Sequence, residues 1–534
     1  MGMGGRSAAK TLGAIALLMA LSALPFLPGL RAPFFYDDLN TIVMNPAISS
    51  PRYADYFHKL DTFSADRARM FRPLVLSSLA LNRQWFGDNM TGWHMTSLAA
   101  HLLAVAMVFL LVANLAGSRT VAFLAALLFG IHPSRVEPVI YISARAEVFA
   151  SLFCLFSFLL FLKAASAKTR AKEFALGALS LAGFWLGLLS KDIAITLPAA
   201  LTVERLVFKR LDKKSGAWLL VFWISAAAYF AVRKVLDLAS FFPAARPRPV
   251  LDNLFLQGRV IAHYLRWIIY PVHPVVDAQF TPVSLAGVVL SAGLLCAMLA
   301  AGVLLLRKKP LWSFFIFFFF IALSPSSSVI PLVVQANIVR VYMPALMVFV
   351  ILADAAVWIS TRLKGNALGK APVLAIVLAL ICLFALSANW AGKWNSPKRL
   401  WSASISAFPN HSRAHNNLGL LLERSGNYAQ AEKEYLMAIN AEPANASALD
   451  NFGRVLFARG EYSRAEFYFK KSLQLEPFNC ITLINYGQML LAVDRLAEAE
   501  ELLNDAGPCP AYSRELAELK KRIELRGADN LRAP

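Results

Sequence analysis

A chain of 534 residues with 58% hydrophobic content and a mean hydropathy of +0.54 exceeds the apolar share of an ordinary soluble protein, roughly 45–50%. The net charge of +20 could serve a nucleic-acid binder, but Lys and Arg fall in short clusters between apolar runs and no nucleic-acid module is present, so nucleic acid is not an expected partner. The pattern is that of a polytopic membrane protein whose retained loops carry the positive charge.

In chain order, Arg6 and Lys10 precede an apolar run over 11–30 that is long and lacks a small-residue cleavage site, so it reads as an uncleaved first helix. Further runs of spanning length lie at 94–114, 119–136, 146–163, 174–190, 193–208, 217–236, 283–306, 311–329, 340–360 and 371–388, about eleven spans in all. The clusters at Arg119, Lys163/Lys168/Arg170/Lys172, Lys209/Arg210/Lys213/Lys214, Arg307/Lys308/Lys309 and Arg362/Lys364/Lys370 then share the cytoplasmic side with the N-terminus. Segment 255–275 carries Arg259, His263 and Arg266 on one helical face, which suits an interfacial helix better than a span. The membrane half is read as 1–392, with a long first outer loop at 31–93.

From about 398 the chain turns soluble and repetitive. Gly419, Gly453 and Gly487 recur every 34 residues, as do Ala431, Ala465 and Ala499, and Pro409, Pro443 and Pro477. That is the tetratricopeptide period. Residues 398–534 are therefore expected to form a repeat solenoid: a partial unit at 398–409 and repeats at 412–443, 446–477 and 480–507. The fold class is all-α, a helical membrane domain followed by this solenoid. Cys480 and Cys509 can pair if the tail faces an oxidising compartment, and no Cys/His spacing matches a zinc site.

Under this topology the unusual polar residues of the membrane half fall on the outer side. They are Asp37 and Asp38 after the first span, Arg72, Arg135 with Glu137, Arg145 with Glu147, Lys191 with Asp192, Arg259 with His263, and Arg340 with Tyr342. Ionisable groups beside hydrocarbon are costly unless paired or used. Carboxylates suit proton abstraction, Arg and Lys suit a phosphate, and the membrane edge admits a lipid tail. A polyprenyl-phosphate sugar combines both donor features. The plainer reading makes Arg135/Glu137 and Arg145/Glu147 structural ion pairs and Lys191/Asp192 a turn. His101 and His132 read as packed or hydrogen-bonded, and Phe314–Phe320 as lipid-facing or core.

The order Tyr36-Asp37-Asp38, Phe71-Arg72-Pro73-Leu74, His101, His132-Pro133-Ser134-Arg135-Val136-Glu137-Pro138, Ala144-Arg145-Ala146-Glu147, Lys191-Asp192 and Arg340-Val341-Tyr342, followed by the repeats, resembles the transmembrane and tetratricopeptide repeat-containing O-mannosyltransferases and their bacterial relatives. The resemblance implies a GT-C glycosyltransferase fold and metal-independent, inverting transfer from a polyprenyl-phosphate sugar, with no cofactor. It places an acidic motif of the first outer loop at the active site. Asp37 or Asp38 would then deprotonate an acceptor hydroxyl while the other orients it, with the remaining residues binding donor phosphate or substrate. The family commonly has Gly-Arg-Ala-Asp and Lys-Glu where this chain has residues 144–147 and 191–192, and more repeats.

The expected partners are a polyprenyl-phosphate-linked sugar, membrane lipid, and a protein or peptide acceptor recruited by the repeats. Short loops suggest a bacterial inner membrane with a periplasmic tail. Asn89, Asn410 and Asn445 open sequons that would matter in an endoplasmic-reticulum lumen. The rival classes are a non-catalytic membrane anchor for a repeat scaffold and a lipid-linked glycan ligase. A transporter would show repeats across the membrane half and mid-bilayer polar residues, and neither is seen.

Overall fold

A computed structural model describes residues 2–60, 62–64, 70–236, 249–272, 276, 278, 280, 284–327, 332, 334–363, 371–504, 509 and 512–532. Lys364 and Lys370 lie outside the described residues, as do the side chain of Arg6 and parts of 237–282, of 324–339 and of the repeat at 480–507. The chain forms two compact units, Met1–Ser396 and Pro397–Pro534.

The first unit is built from α1 (Gly2–Ala23), a short α2 (Pro46–Ser49), α3 (Pro73–Phe86), α4 (Met90–Ala116), α5 (Arg119–Ile131), α6 (Val136–Ile140), α7 (Arg145–Ala165), α8 (Arg170–Leu188), α9 (Leu197–Val207), α10 (Lys213–Val235), α11 (Val250–Ile269), α12 (Leu285–Leu304), α13 (Pro310–Leu323), α14 (Leu346–Arg362) and α15 (Ala371–Lys393). Each expected span has a helix. Among the described residues six are long and apolar enough to cross a bilayer, and a seventh arises if the bent 119–140 segment is counted. The others are shorter than a bilayer demands or carry charges at their ends. The unit is a multi-pass membrane protein.

The 119–136 run is not straight. Pro133 cannot donate to a helix ladder, and the chain bends by 59° between α5 and the segment Pro133–Ile140. Around this bend His132, Arg135, Glu137 and Tyr141 are all buried. Residues Phe314, Phe315, Phe318 and Phe319 are buried too, so the Phe-rich run is core. By contrast Leu285, Val289 and Leu290 of α12 are exposed, as a lipid-facing helix requires.

The first long loop has its own core. Ile42, Ile48, Tyr56, Phe63, Val75, Leu76, Leu79 and Trp93 pack with Ile142 and Ala146 at the start of α7. At about 1.5–3 kcal/mol per fully buried large apolar side chain, this cluster fixes the loop against the helices.

The second unit contains α16 (Pro397–Ala407), α17 (Ser412–Arg424), α18 (Tyr428–Ala441), α19 (Ala446–Ala458), α20 (Tyr462–Leu475), α21 (Cys480–Ala492), α22 (Leu496–Asn504) and α23 (Ser513–Arg532). The recurring small residues mark close helix approach. A Cβ at Gly419 would sit 2.7 Å from the Tyr435 ring, and one at Gly453 2.9 Å from Phe469. Ala431, Ala465 and Ala499 are wholly buried. A ladder of side-chain bonds runs between successive repeats, Asn451 to Asn416 at 2.9 Å and Asn485 to Asp450 at 3.0 Å. Cys480 and Cys509 are joined by a disulfide, their Cα atoms 6.0 Å apart.

Candidate active site

The loop holding Asp37 and Asp38 rests on an aromatic platform. The Phe35 ring meets Trp394 with centroids 5.5 Å apart, and Tyr141 stacks on Trp394 at 5.7 Å. Tyr36 takes the left-handed conformation at φ 52°, uncommon for a non-glycine residue and frequent at functional sites.

Asp38 turns inward and is buried. Its Oδ1 accepts from the Ser143 backbone N–H at 2.8 Å and from Ser143 Oγ at 2.5 Å, and its Oδ2 accepts from the Phe35 N–H at 3.2 Å. Burial pushes its carboxyl up to about 7 against the lowering effect of those bonds, with neighbouring Asp37 adding to the rise. Asp37 is exposed, and its backbone N–H donates to the Tyr141 hydroxyl at 3.1 Å.

A cavity of about 920 Å³ collects charges from five chain segments: Arg72, Glu147, Lys191, Asp192, Arg233 and Arg340. Each sits where an element begins or ends. Arg72 precedes α3, and its segment is tied to the turn after α8 by the Leu74 N–H donating to the Leu189 carbonyl at 3.2 Å. Glu147 lies in the first turn of α7 and binds Lys191 Nζ at 2.5 Å. Asp192 Oδ1 accepts from Arg233 at 2.7 Å and from the Tyr229 hydroxyl at 2.7 Å. Arg340 donates to the carbonyls of Val334 at 2.8 Å and Gln335 at 3.2 Å. Among the described residues the cations Arg72, Lys191, Arg233 and Arg340 outnumber the carboxylates Glu147 and Asp192 by four to two. The apolar part of the wall includes Ile193, Ile195, Trp223, Phe230, Phe320 and Ile321.

Arg72, in the cavity wall, feels carboxylates of both the cavity and the acidic loop. Burial lowers its pKa, and the carboxylates of Asp192, Glu147 and Asp37 act against that shift. Burial likewise lowers the pKa of Lys191, opposed by Glu147.

Other expected site residues lie elsewhere. Arg135 is buried, donates to the Val341 carbonyl at 3.2 Å and to the Tyr342 carbonyl, and lies over the Phe129 and Tyr342 rings. Arg145 donates to the Trp93 carbonyl at 2.7 Å, to Asn82 Oδ1 and to Ser97 Oγ at 3.0 Å. Glu147 pairs with Lys191 rather than with Arg145. Glu137 is buried and does not line the cavity. Tyr342 contacts His101 Nδ1 at 2.7 Å. Because His101 Nε2 faces the Gly130 carbonyl at 3.0 Å, an atom that only accepts, the proton belongs on Nε2 and Tyr342 donates to Nδ1. His132 is held the same way, between Ser134 and the Ile268 carbonyl. Arg259 and His263 sit on α11, where both approach the Phe280 ring. Neither lines the cavity. Arg135, Glu137, Arg145, Arg259, His263 and Tyr342 were expected to bind substrate because a polar group beside an apolar run looks alike in sequence whether it faces a cavity or packed protein, whereas His101 and His132 are hydrogen-bonded and packed as expected.

Two cavity residues escaped the sequence reading. Tyr229 and Arg233 fell inside a run taken as an ordinary span. Their i,i+4 spacing in the last turns of α10, on the expected outer side, was the available signal. For Ser143 no signal existed.

The fold and this charged cavity define a class: a multi-pass membrane protein with a charged, lipid-sized cavity and a tetratricopeptide solenoid. Residues 391–447 and 446–479 match models of the tetratricopeptide repeat. The chain is 24% identical over 440 residues to "Protein O-mannosyl-transferase F38B6.6" of Caenorhabditis elegans, covering 78% of this chain and 61% of that relative's length. It is 31% identical over 205 residues to mouse "Protein O-mannosyl-transferase TMTC2", covering 36% and 24% of the two chains. Among solved structures it is similar to the Archaeoglobus fulgidus oligosaccharyltransferase AglB (14% identity, 72% of this chain and 56% of that one, TM-score 0.43). It is also similar to ArnT from Cupriavidus metallidurans (15% identity, 97% and 89%, TM-score 0.40). Within its class the chain is similar to the TMTC-like protein O-mannosyl-transferases, and it spans less than two thirds of the length of these relatives.

Proposed function

We propose that this protein is a membrane glycosyltransferase that moves a sugar from a polyprenyl-phosphate donor to an acceptor hydroxyl, with the GT-C type of chemistry. The observation that carries the reading is the cavity itself. Among the described residues it has a surplus of cations for a phosphate and an apolar wall for an isoprenoid, and the Asp37 carboxylate acts electrostatically on Arg72 in that wall. The names of the relatives support mannose as the sugar and protein Ser or Thr as the acceptor.

Asp37 is the general base in this mechanism. A base must reach its substrate, and Asp37 is exposed whereas both oxygens of Asp38 are occupied by the protein. Asp37 takes the hydroxyl proton, the acceptor oxygen bonds to the anomeric carbon, and the bond from that carbon to the phosphate oxygen breaks with its electron pair left on phosphate. Arg72, Lys191, Arg233 and Arg340 meet the developing charge, so no acid or metal is assigned a step. Asp38 orients the loop. The tetratricopeptide solenoid recruits the protein acceptor, since such stacks present concave binding surfaces. The Cys480–Cys509 disulfide supports an oxidising, outward location for it, such as a bacterial periplasm.

The test is transfer by the full chain, reconstituted in lipid, from polyprenyl-phosphate mannose to a Ser/Thr peptide. Transfer that is lost in Asp37→Asn is expected. A normal rate in that variant would remove Asp37 from the mechanism.

A further inference from the structure

Glu147 has no exposed surface yet belongs to the cavity wall, and its two oxygens differ. Oε2 accepts from Lys191 Nζ at 2.5 Å, whereas Oε1 has no hydrogen-bond partner among the described residues. Buried polar atoms in native proteins are almost always bonded, and an ionised carboxylate can only accept. Elsewhere in the same wall the polar groups are engaged: Asp192 by Arg233 and Tyr229, Arg340 by backbone carbonyls. An acceptor left open in a substrate-sized cavity calls for a donor from the substrate.

We propose that Glu147 Oε1 accepts a hydroxyl hydrogen of the sugar carried on the lipid phosphate, and thereby selects sugar-bearing lipids over the bare carrier. This rests on the cavity's being the polyprenyl-phosphate sugar site. The phosphate is not the partner, because two anions repel. A sugar hydroxyl is a neutral donor that an anionic oxygen recognises, and a site built to bond a hydroxyl rejects analogues lacking it. Lys191 stands between the two functions. One of its donors holds Glu147 in place, and the ammonium has two more for the phosphate.

Glu147→Gln separates the roles. Lys191 can only donate, so the amide oxygen turns to it and the NH2 takes the place of Oε1. The open acceptor becomes a donor while the contact to Lys191 persists.

The measurement is binding of undecaprenyl phosphate and of undecaprenyl-phosphate mannose to the full chain in nanodiscs. Wild type should hold the sugar-bearing lipid about tenfold more tightly, the range of one charge-assisted hydrogen bond. Glu147→Gln should abolish that difference, and because it removes an anion beside the phosphate site, bare-lipid affinity should be no weaker than in wild type. Equal affinity of wild type for the two lipids, or equal weakening of both by Glu147→Gln, overturns the proposal and leaves the lipid-phosphate site standing. If wild type binds neither lipid, the site reading falls and the proposal with it. Should Glu147→Gln fail to fold, Glu147→Asp serves: it keeps the charge, withdraws the carboxylate by one methylene, and should narrow the difference. An unchanged difference in a folded Glu147→Asp overturns the proposal.

Discussion

The two units handle charge in opposite ways. In the repeat unit the ionisable side chains pair with one another near the surface. Arg454 bonds Glu423, and Arg495 grips Glu466 at 2.6 Å, holding that carboxyl down at about 2. In the membrane unit cations gather in a cavity wall, where among the described residues four of them share the space with two carboxylates. Exposed pairs add little to stability and are readily exchanged. A partly buried surplus of one sign costs free energy in the empty protein and repays it when an anion arrives. The contrast separates charges that decorate a scaffold from charges that define a ligand.

The most severe way to break that contrast is at the base. Asp37→Asn should lower the transfer rate at least about 100-fold, and Asp38→Asn by less because it acts through loop position. Rates from saturating donor would show it, and equal effects would cancel the distinction between the two carboxylates. Next comes an arginine comparison across the units. Arg233→Leu should weaken donor binding about tenfold or more, since charge-assisted bonds contribute about 1.5–3 kcal/mol, whereas Arg454→Leu should leave donor affinity unchanged.

Packing in the repeats gives a middle-sized effect. Gly419→Val drives a side chain into Tyr435 and should destabilise the repeat unit by about 1–3 kcal/mol in denaturant unfolding, without altering lipid binding. A pH effect follows from Asp38. Its carboxyl is raised to about 7 when folded, so between about pH 4 and about pH 7 the native protein holds a proton that the unfolded chain has released. Stability of the membrane unit should therefore fall as pH rises through that window and level off above it. Asp38→Asn should flatten the profile measured by thermal unfolding. The smallest effect belongs to Arg464→Ala, which removes an exposed i,i+3 pair with Glu461 and should change stability by less than about 0.5 kcal/mol.

Much of this was legible beforehand. The 34-residue recurrence of Gly and Ala specifies helices that touch at small residues, and Gly419 against Tyr435 shows that contact. The acidic loop, Arg72, Glu147, Lys191, Asp192 and Arg340 stood out as charges beside apolar runs. Arg135, Glu137 and Arg145 stood out for the same reason and went inward instead. The partners of Arg135 and Arg145 are backbone carbonyls or amide side chains such as Val341, Trp93 and Asn82, which leave no mark in a charge pattern. Arg233 was hidden because it ends an apolar run.

Hydrophobic run length and a fixed repeat period are local properties, and they determined a helical membrane unit followed by a tetratricopeptide solenoid. Whether a charge opens onto a cavity depends on neighbours far along the chain: Ser143 on Asp38, Leu189 on Leu74, Lys191 on Glu147, Arg233 on Asp192. Desolvation and pairing are set by those long-range contacts. Only the tertiary structure could divide Asp37 from Asp38, or the cations of the cavity from those of the core.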